Sequence, residues 1–275
     1  MEQKRLANLS VQPTLATYLV DMFRSRQLAL SIARNDLRSR HGTLALGWAW
    51  NLIDPLLMLG VYWLVFGVLL AGRRPENFLA FLAVGIFLFR FVQTTVVSGA
   101  DSVRKNLGMI RQVRFPRGML PAAETLRNLF TLAWQLPVIA LIVVTTTGRI
   151  RPGWIVLIVV VIPMLALFAL GGALLFARVA HGLSDVTKLL PYVFRILFYA
   201  SGILFPIDVI LGEHPAAALL PLNPLYAFVN IARHLTILPV ADVGVLWWSA
   251  AGWTVASLAL GLRLFLSAEH RYGRG

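Results

Sequence analysis

The sequence has no cysteine, only 12 Asp and Glu residues, and only three lysines (Lys4, Lys105 and Lys188) among its 25 basic side chains. Without cysteine there is no disulfide, no thiolate metal ligand and no sulfur nucleophile. His-x-x-x-His pairs and carboxylate clusters are missing too, so no metal site is expected. A membrane enzyme would need an acid, base or metal set, and five scattered histidines do not supply one. No Gly-Lys dipeptide occurs, which excludes a phosphate-binding loop of the form Gly-x-x-x-x-Gly-Lys followed by Ser or Thr. The chain itself is expected to bind no cofactor and to hydrolyse no nucleotide.

Charged residues make up 13% of the 275 positions and hydrophobic ones 58%, with a mean hydropathy of +0.75. A soluble domain has about 25% charged residues, so a soluble fold is excluded. The net charge of +13 lies between apolar runs rather than on one face, which argues against nucleic acid as a partner. The first forty-odd residues are polar and lack the short apolar core of a signal peptide. They are expected to stay in the mature protein.

Crossing about 30 Å of hydrocarbon takes about 20 mostly apolar residues. Six stretches qualify, near residues 48–71, 78–100, 119–147, 153–180, 189–206 and 243–266. The fifth is the shortest and carries Arg195. The expected organisation is a single membrane domain, with a cytoplasmic N-terminal region (1–47), a six-helix body (48–266) and a short tail (267–275). An even number of spans puts both termini on one side. Arg34, Arg38, Arg40, Arg104, Lys105, Arg111, Arg114, Arg117, Arg178, Lys188, Arg271 and Arg274 flank one set of span ends, and Arg73, Arg74, Arg149, Arg151 and Arg233 the other. The positive-inside rule places the larger set, and both termini, in the cytoplasm. No internal repeat of the kind common in secondary transporters is visible.

Three polar segments carry amphipathic patterns. Before the first span, Leu28, Ile32, Ala33 and Leu37 alternate with Arg34, Asp36, Arg38 and Arg40, the pattern of a basic helix lying in the interface. A plain lipid anchor fits the same spacing. Between spans two and three, Val103, Leu107 and Ile110 share a face of a basic stretch that ends at Pro116. Such a stretch suits a groove on a soluble partner, and its charges equally suit topology alone. Between spans five and six, Asn223 reads as a helix cap with Pro224 at the first helical position. Phe228, Val229, Ala232 and Leu235 then recur at helical spacing, and the prolines around them keep the segment below spanning length. A short helix dipping into the outer leaflet is expected, which needs protein or a cavity around it.

The order of these features resembles a known family. Residues 34–41 (Arg-Asn-Asp-Leu-Arg-Ser-Arg-His), Leu46-Gly47-Trp48-Ala49-Trp50, Pro55-Leu56-Leu57-Met58, the run from Asn106 to Phe115-Pro116-Arg117, Ser184-Asp185-Val186 and Leu222-Asn223-Pro224-Leu225-Tyr226 are similar to type-2 ABC permeases that export O-antigen, capsule and teichoic acid. The resemblance implies an all-α integral membrane protein with six transmembrane helices per protomer. It also implies a second copy of the chain and two copies of a separate ATPase, which holds ATP and magnesium. The substrate implied is a glycan on a polyprenyl lipid, either cell-wall galactan, O-antigen or teichoic acid, crossing a bacterial cytoplasmic (inner) membrane. A type-2 exporter of a drug or small lipid is the alternative.

By the same resemblance Arg34, Asp36, Arg38, Arg40 and His41 belong to an interface or gate helix. Asn106, Leu107, Ile110, Arg111, Arg114, Phe115 and Arg117 belong to a cytoplasmic coupling helix, and the region around Asn223 to short re-entrant helices at the extracellular end. Inside the spans, ionisable residues are functional candidates by default: Asp54, Arg90, Glu124, Arg127 and Arg195. Glu124, Arg127, Asn128, Thr131 and Gln135 form one stripe, and Arg90, Gln93 and Thr94 a smaller patch. Structural pairing accounts for these as well as a pore does, since Glu124 and Arg127 can satisfy one another or Asp54, and Arg195, one or two helical turns inside the cytoplasmic end, can also snorkel. Glu124 and Arg127 are expected to brace span three against span one near Asp54. Among the aromatics, Trp48, Tyr62, Phe66 and Tyr199 are the candidates for lining a channel, since flat rings offer apolar contact to sugar C–H faces without fixing a register. Aromatic-belt anchoring at the interface also explains Trp48, and lipid-facing bulk explains the deeper rings equally well.

Overall fold

The structure is a computed structural model and describes residues 49–69, 75, 77–112, 115–212, 214–240 and 242–267. The expected interface helix (Arg34, Asp36, Arg38, Arg40 and His41), Trp48, Arg114 and the tail beyond Ser267 lie outside the described residues.

Helix α1 covers Trp50–Tyr62 and continues as π-helical turns over Trp63–Leu69. It is followed by α2 (Phe78–Lys105), α3 (Leu107–Gln112), α4 (Met119–Thr147) and α5 (Gly153–Gly182), the last with a π-helical stretch at Leu157–Val161. Next come α6 (Val186–Ala200), α7 (Ile207–Leu211), a 3-10 segment (Pro215–Leu222), α8 (Pro224–Thr236) and α9 (Val243–Ser267). The described residues contain no strand.

Five of these helices, α1, α2, α4, α5 and α9, are long and apolar enough to cross a membrane. Helix α2 is apolar on every side from Leu79 to Phe89, and a helix of that kind belongs in the middle of a bundle. Accordingly 72% of its spanning stretch is buried, against 17% to 39% for the other four. Helices α4 and α5 pack along it, and α1 and α6 lie against it more lightly.

The largest helix pair is α5 with α9. Lipid tails give apolar side chains no reason to prefer a neighbouring helix, so association depends on close backbone approach and polar contacts. Both are present. A methyl group on Gly261 would sit 2.2 Å from the Gly171 carbonyl oxygen, and the Ser257 hydroxyl donates to the Phe168 carbonyl at 2.9 Å.

The fifth expected span is where the structure departs most from the sequence pattern. Instead of one helix over residues 189–206, α6 stops at Ala200 after 15 residues. At 1.5 Å per residue this is about 22 Å, short of the hydrocarbon thickness. The chain then turns through Gly202 at φ +62° and runs without helix to Pro206, although Ser201, Ile203 and Leu204 are buried. A second irregularity follows, since the 3-10 segment and α8 meet at 86°. Asn223 sits at that corner and caps α8 as its sequence suggests, Oδ1 accepting from the N–H of Leu225 at 3.0 Å and of Tyr226 at 3.4 Å. Every residue of α8 from Leu225 to Arg233 is buried, so protein surrounds it on all sides.

Gly261→Ala is expected to lower thermal stability in detergent by about 1–3 kcal/mol, because a methyl has no room there. Gly252→Ala, where nothing lies within 4 Å of the added carbon, is expected to leave the melting temperature unchanged. Equal melting curves for the two variants would contradict the close α5–α9 approach.

Candidate functional site: a polar cavity beside an aromatic wall

Near the end of the bundle that carries Arg104, Lys105, Arg178 and Lys188, the helices part around a polar cavity of about 580 Å³. Its walls come from α1 (Asn51), α2 (Arg90, Gln93, Thr94, Ser98, Asp101 and Lys105), α4 (Arg127, Asn128 and Thr131) and the start of α6 (Thr187 and Pro191). A second space of about 320 Å³ shares Asn51, Arg90, Thr94, Asn128 and Thr131 and extends to Asp54 and Gln135. Both polar patches read from the sequence, on spans two and three, therefore face one another across the same opening.

The pairing inside it differs from the expectation for Arg127. Asp54 forms its ion pair with Arg90 of α2, while Arg127 pairs with Glu124 on its own helix at 2.5 Å. What ties α4 to α1 is Gln135, whose side-chain amide donates to the Asn51 carbonyl at 2.7 Å. Asn128 links α4 to α2 by donating to the Ser98 hydroxyl at 3.3 Å. The physical reason for the difference is azimuthal. Depth along a helix follows from residue count, but which neighbour a side chain meets depends on how the helices are rotated. The two ion pairs also differ in burial: side-chain exposure is 30% and 61% for Arg90 and Asp54, but 11% and 12% for Arg127 and Glu124.

Further along α1 an aromatic wall runs up the bundle. Tyr62 stacks on Phe198 of α6 with centroids 5.4 Å apart, and Phe66 lies 6.3 Å from Tyr62. Phe89 of α2 meets Phe194 and Phe198 edge-on at 6.0 and 5.1 Å, which fixes the rotation of α6. Phe194 and Phe198 are thereby buried, and Tyr192, Arg195, Ile196 and Tyr199 point away from the protomer. The candidates Tyr62, Phe66 and Tyr199 thus gather at one seam between α1 and α6.

At the opposite end lies a group the sequence reading counted only as a loop cation. Arg233, 3% exposed, donates to the carbonyls of Gly202 (2.9 Å), Ile203 (3.0 Å) and Phe81 (3.1 Å) and to Asn230 Oδ1 (3.1 Å). Its guanidinium carbon lies 3.3 Å from the Phe81 ring centroid. A methyl on Gly85 would come within 2.9 Å of Arg233 Nη2, so the glycine admits the guanidinium.

The segment expected to dock a partner is also better defined. Asn106 interrupts the helix before α3, its amide donating to the Ser102 carbonyl at 2.8 Å. Ile110 is buried in a cluster with Val103, Leu120, Leu174, Ala177 and Phe265, and Leu107 and Phe115 pack against it. Leu107 and Ile110 are turned into the protomer, and the exposed side of α3 presents Gly108, Arg111 and Gln112. Arg117 is half-buried at the following turn.

An all-helical bundle with five membrane-length helices, a polar cavity and a basic end defines a multi-pass membrane protein. The model of the ABC-2 type transporter family matches residues 26–237, and the chain belongs to that family. It is 27% identical over 211 residues to the O-antigen export system permease protein RfbA of Myxococcus xanthus, covering 76% of this chain and 80% of that one. It is 22% identical over 248 residues to an RfbA of Klebsiella pneumoniae (89% and 93% covered). To the polysialic acid transport protein KpsM of Escherichia coli it is 25% identical over 239 residues (85% and 90%).

Arg127→Met is expected to cost about 3–5 kcal/mol, because it strands the buried Glu124 carboxylate. Asp54→Asn should cost no more than about 1 kcal/mol, as expected for a pair open to solvent. Thermal unfolding of the two variants side by side checks both, and a larger loss at Asp54 would reverse the assignment.

Proposed function

We propose that this chain is the membrane-spanning subunit of an ATP-driven exporter that moves a lipid-linked polysaccharide across the bacterial cytoplasmic membrane. The observation that carries the reading is the match to O-antigen and polysialic acid permeases over 80% to 93% of their own length. In this reading two copies of the chain assemble with two copies of an ATPase that binds ATP and magnesium. The cargo is a glycan on a polyprenyl carrier, with O-antigen the class nearest the relatives' names and galactan and teichoic acid the other candidates. No observation favours the alternative cargo, a drug or a small lipid.

The basic end of the bundle is the cytoplasmic one, by the positive-inside rule. There α3 and the turn through Arg117 serve as the coupling element. The 3-10 segment and α8 are the re-entrant helices at the outer end, and the burial of α8 supplies the shielding that such a segment needs at membrane depth. The seam of α1 and α6 faces the second copy and lines the path. Tyr62, Phe66 and Tyr199 supply ring surfaces over which sugars slide, since stacking on C–H faces is tolerant of register.

Two measurements test this. Single cysteines at Tyr62, Phe66 and Tyr199, in a chain otherwise free of cysteine, should react with a membrane-impermeant thiol reagent during export. Reaction only with lipid-soluble reagents would place the seam against the bilayer and defeat the path. For coupling, charge-reversing substitution on the exposed side of α3, Arg111→Glu with Gln112→Glu, should cut partner-stimulated ATP hydrolysis roughly tenfold or more, as loss of an interface hot spot does. Ile110→Ala should instead lower stability by about 2–4 kcal/mol, as for a buried aliphatic side chain.

A further inference from the structure

The cations inside the bundle are satisfied in different ways, and one of them stands apart. Arg90 has Asp54, Arg127 has Glu124, and Arg233 has carbonyl oxygens from two other segments. Arg195, in the middle of α6, has no carboxylate within ion-pair distance among the described residues. Its orientation is fixed by packing on the opposite side of the helix, where Leu190, Phe194 and Phe198 are buried. The guanidinium is therefore held on the outer face of α6. It lies nine residues past Val186, about 14 Å along the axis, and six past the start of the expected fifth span. A guanidinium on that face needs water or a polar ligand, reached either at the near interface by snorkelling or in the path itself.

Its surroundings are polar-tipped aromatics. The Arg195 guanidinium carbon lies 5.7 Å from the Tyr192 ring centroid. Tyr199 is one turn further along the same face and 48% exposed, and Tyr62 of α1 reaches this part of α6 through Phe198, which stacks on Tyr62 and meets Tyr199 edge-on. An aromatic face beside a guanidinium restrains its plane and leaves its N–H edge free to grip oxygen pairs. Planar oxygen pairs of that kind occur on phosphoryl and carboxylate groups.

We infer that Arg195 is an anion-recognition point in the export path, binding phosphoryl or carboxylate oxygens of the moving substrate between the rings of Tyr62, Tyr192 and Tyr199. The inference rests on the reading that α1 and α6 line that path. Neutral sugars meet only the rings there, whereas a charged group meets one guanidinium from each protomer. Two sources supply the same chemistry: the diphosphate that joins a glycan to its polyprenyl carrier, and acidic sugars within the glycan.

The test is equilibrium binding to the permease–ATPase complex in phosphatidylcholine nanodiscs, with undecaprenyl diphosphate, undecaprenol, a galacturonate hexasaccharide and a neutral galactose hexasaccharide as probes. Arg195→Gln should weaken one or both anionic probes about tenfold or more, the scale of a lost charge-assisted contact. Arg195→Lys should recover only part of that loss, because an ammonium keeps the charge but not the planar two-point grip, and the two neutral probes should be unaffected. A loss confined to undecaprenyl diphosphate assigns the lipid linkage as the group recognised, and one confined to the galacturonate assigns the glycan. Unchanged affinity for both anionic probes overturns the inference, as does loss of the dimer in Arg195→Gln with affinity per remaining dimer intact, which would make Arg195 a subunit contact. Labelling of Arg195→Cys by the impermeant thiol reagent separates the two levels. A labelled cysteine with no anion effect removes the anion site alone, whereas an unlabelled cysteine at 195 together with unlabelled positions 62 and 199 removes the path itself.

Discussion

The guanidinium of Arg233 is the contact on which the non-basic end of the molecule depends. When α6 stops at Ala200, the backbone that follows is buried yet no longer helical, and its carbonyls lose their partners along the helix. In hydrocarbon each unmet polar group costs several kcal/mol, which is why spanning segments are ordinarily unbroken helices. Arg233 meets the Gly202 and Ile203 carbonyls and at the same time takes the Phe81 carbonyl near the start of α2. One side chain thus joins α2, the unwound stretch and α8. Asn223 repeats the device on a smaller scale: its Oδ1 caps α8, and its amide donates to the Ala200 carbonyl at 3.2 Å and the Ser201 hydroxyl at 3.1 Å.

Breaking α6 in this way shapes the face beside it. A full-length apolar helix would be pinned by hydrophobic thickness at both ends, whereas α6 is anchored by Phe194 and Phe198 on one side and by the Asn223 and Arg233 contacts at its end. Its other side is left with large exposed groups, Tyr192 at 63% and Ile196 at 70%. Such a surface, with a charge in its middle, needs an occupant other than lipid alone, and in the proposed dimer the second protomer and the passing substrate share that role.

Five spans were legible in the sequence because length and hydropathy are one-dimensional properties, and the Asn223 cap was legible because its chemistry is local. The break in α6 was not, since residues 201–206 are as apolar as a helix would be, and what makes the break affordable is an arginine about thirty positions later. That arginine looked like a loop cation next to Pro239 and Arg149. Arg127, Asn128 and Thr131 of the expected stripe line the polar cavity. The Glu124–Arg127 pair is one of the two partnerships the spacing allowed, and the contact with Asp54 is not made because sequence spacing reports depth but not rotation about the helix axis. Ile110 shows the same limit on a short helix: an amphipathic pattern proves that a face is covered, and says nothing of whether a partner protein or the chain's own Val103, Leu174 and Phe265 covers it.

That last distinction bears on how force would travel in the proposed exporter. A docking contact through Leu107 and Ile110 would have let α3 move as a lever hinged at Asn106. With Ile110 inside a cluster contributed by α2, α4, α5 and α9, a push on the exposed side of α3 is delivered to all four helices together. Helices α5 and α9 are locked by the Gly171–Gly261 approach, and α2 is enclosed by its neighbours, so these behave as one body. The light attachments are those of α1 and α6 to α2. In the proposed exporter relative motion would therefore fall at the seam that carries Tyr62, Phe66 and Tyr199, with the polar cavity beside α1 giving the helices room to shift.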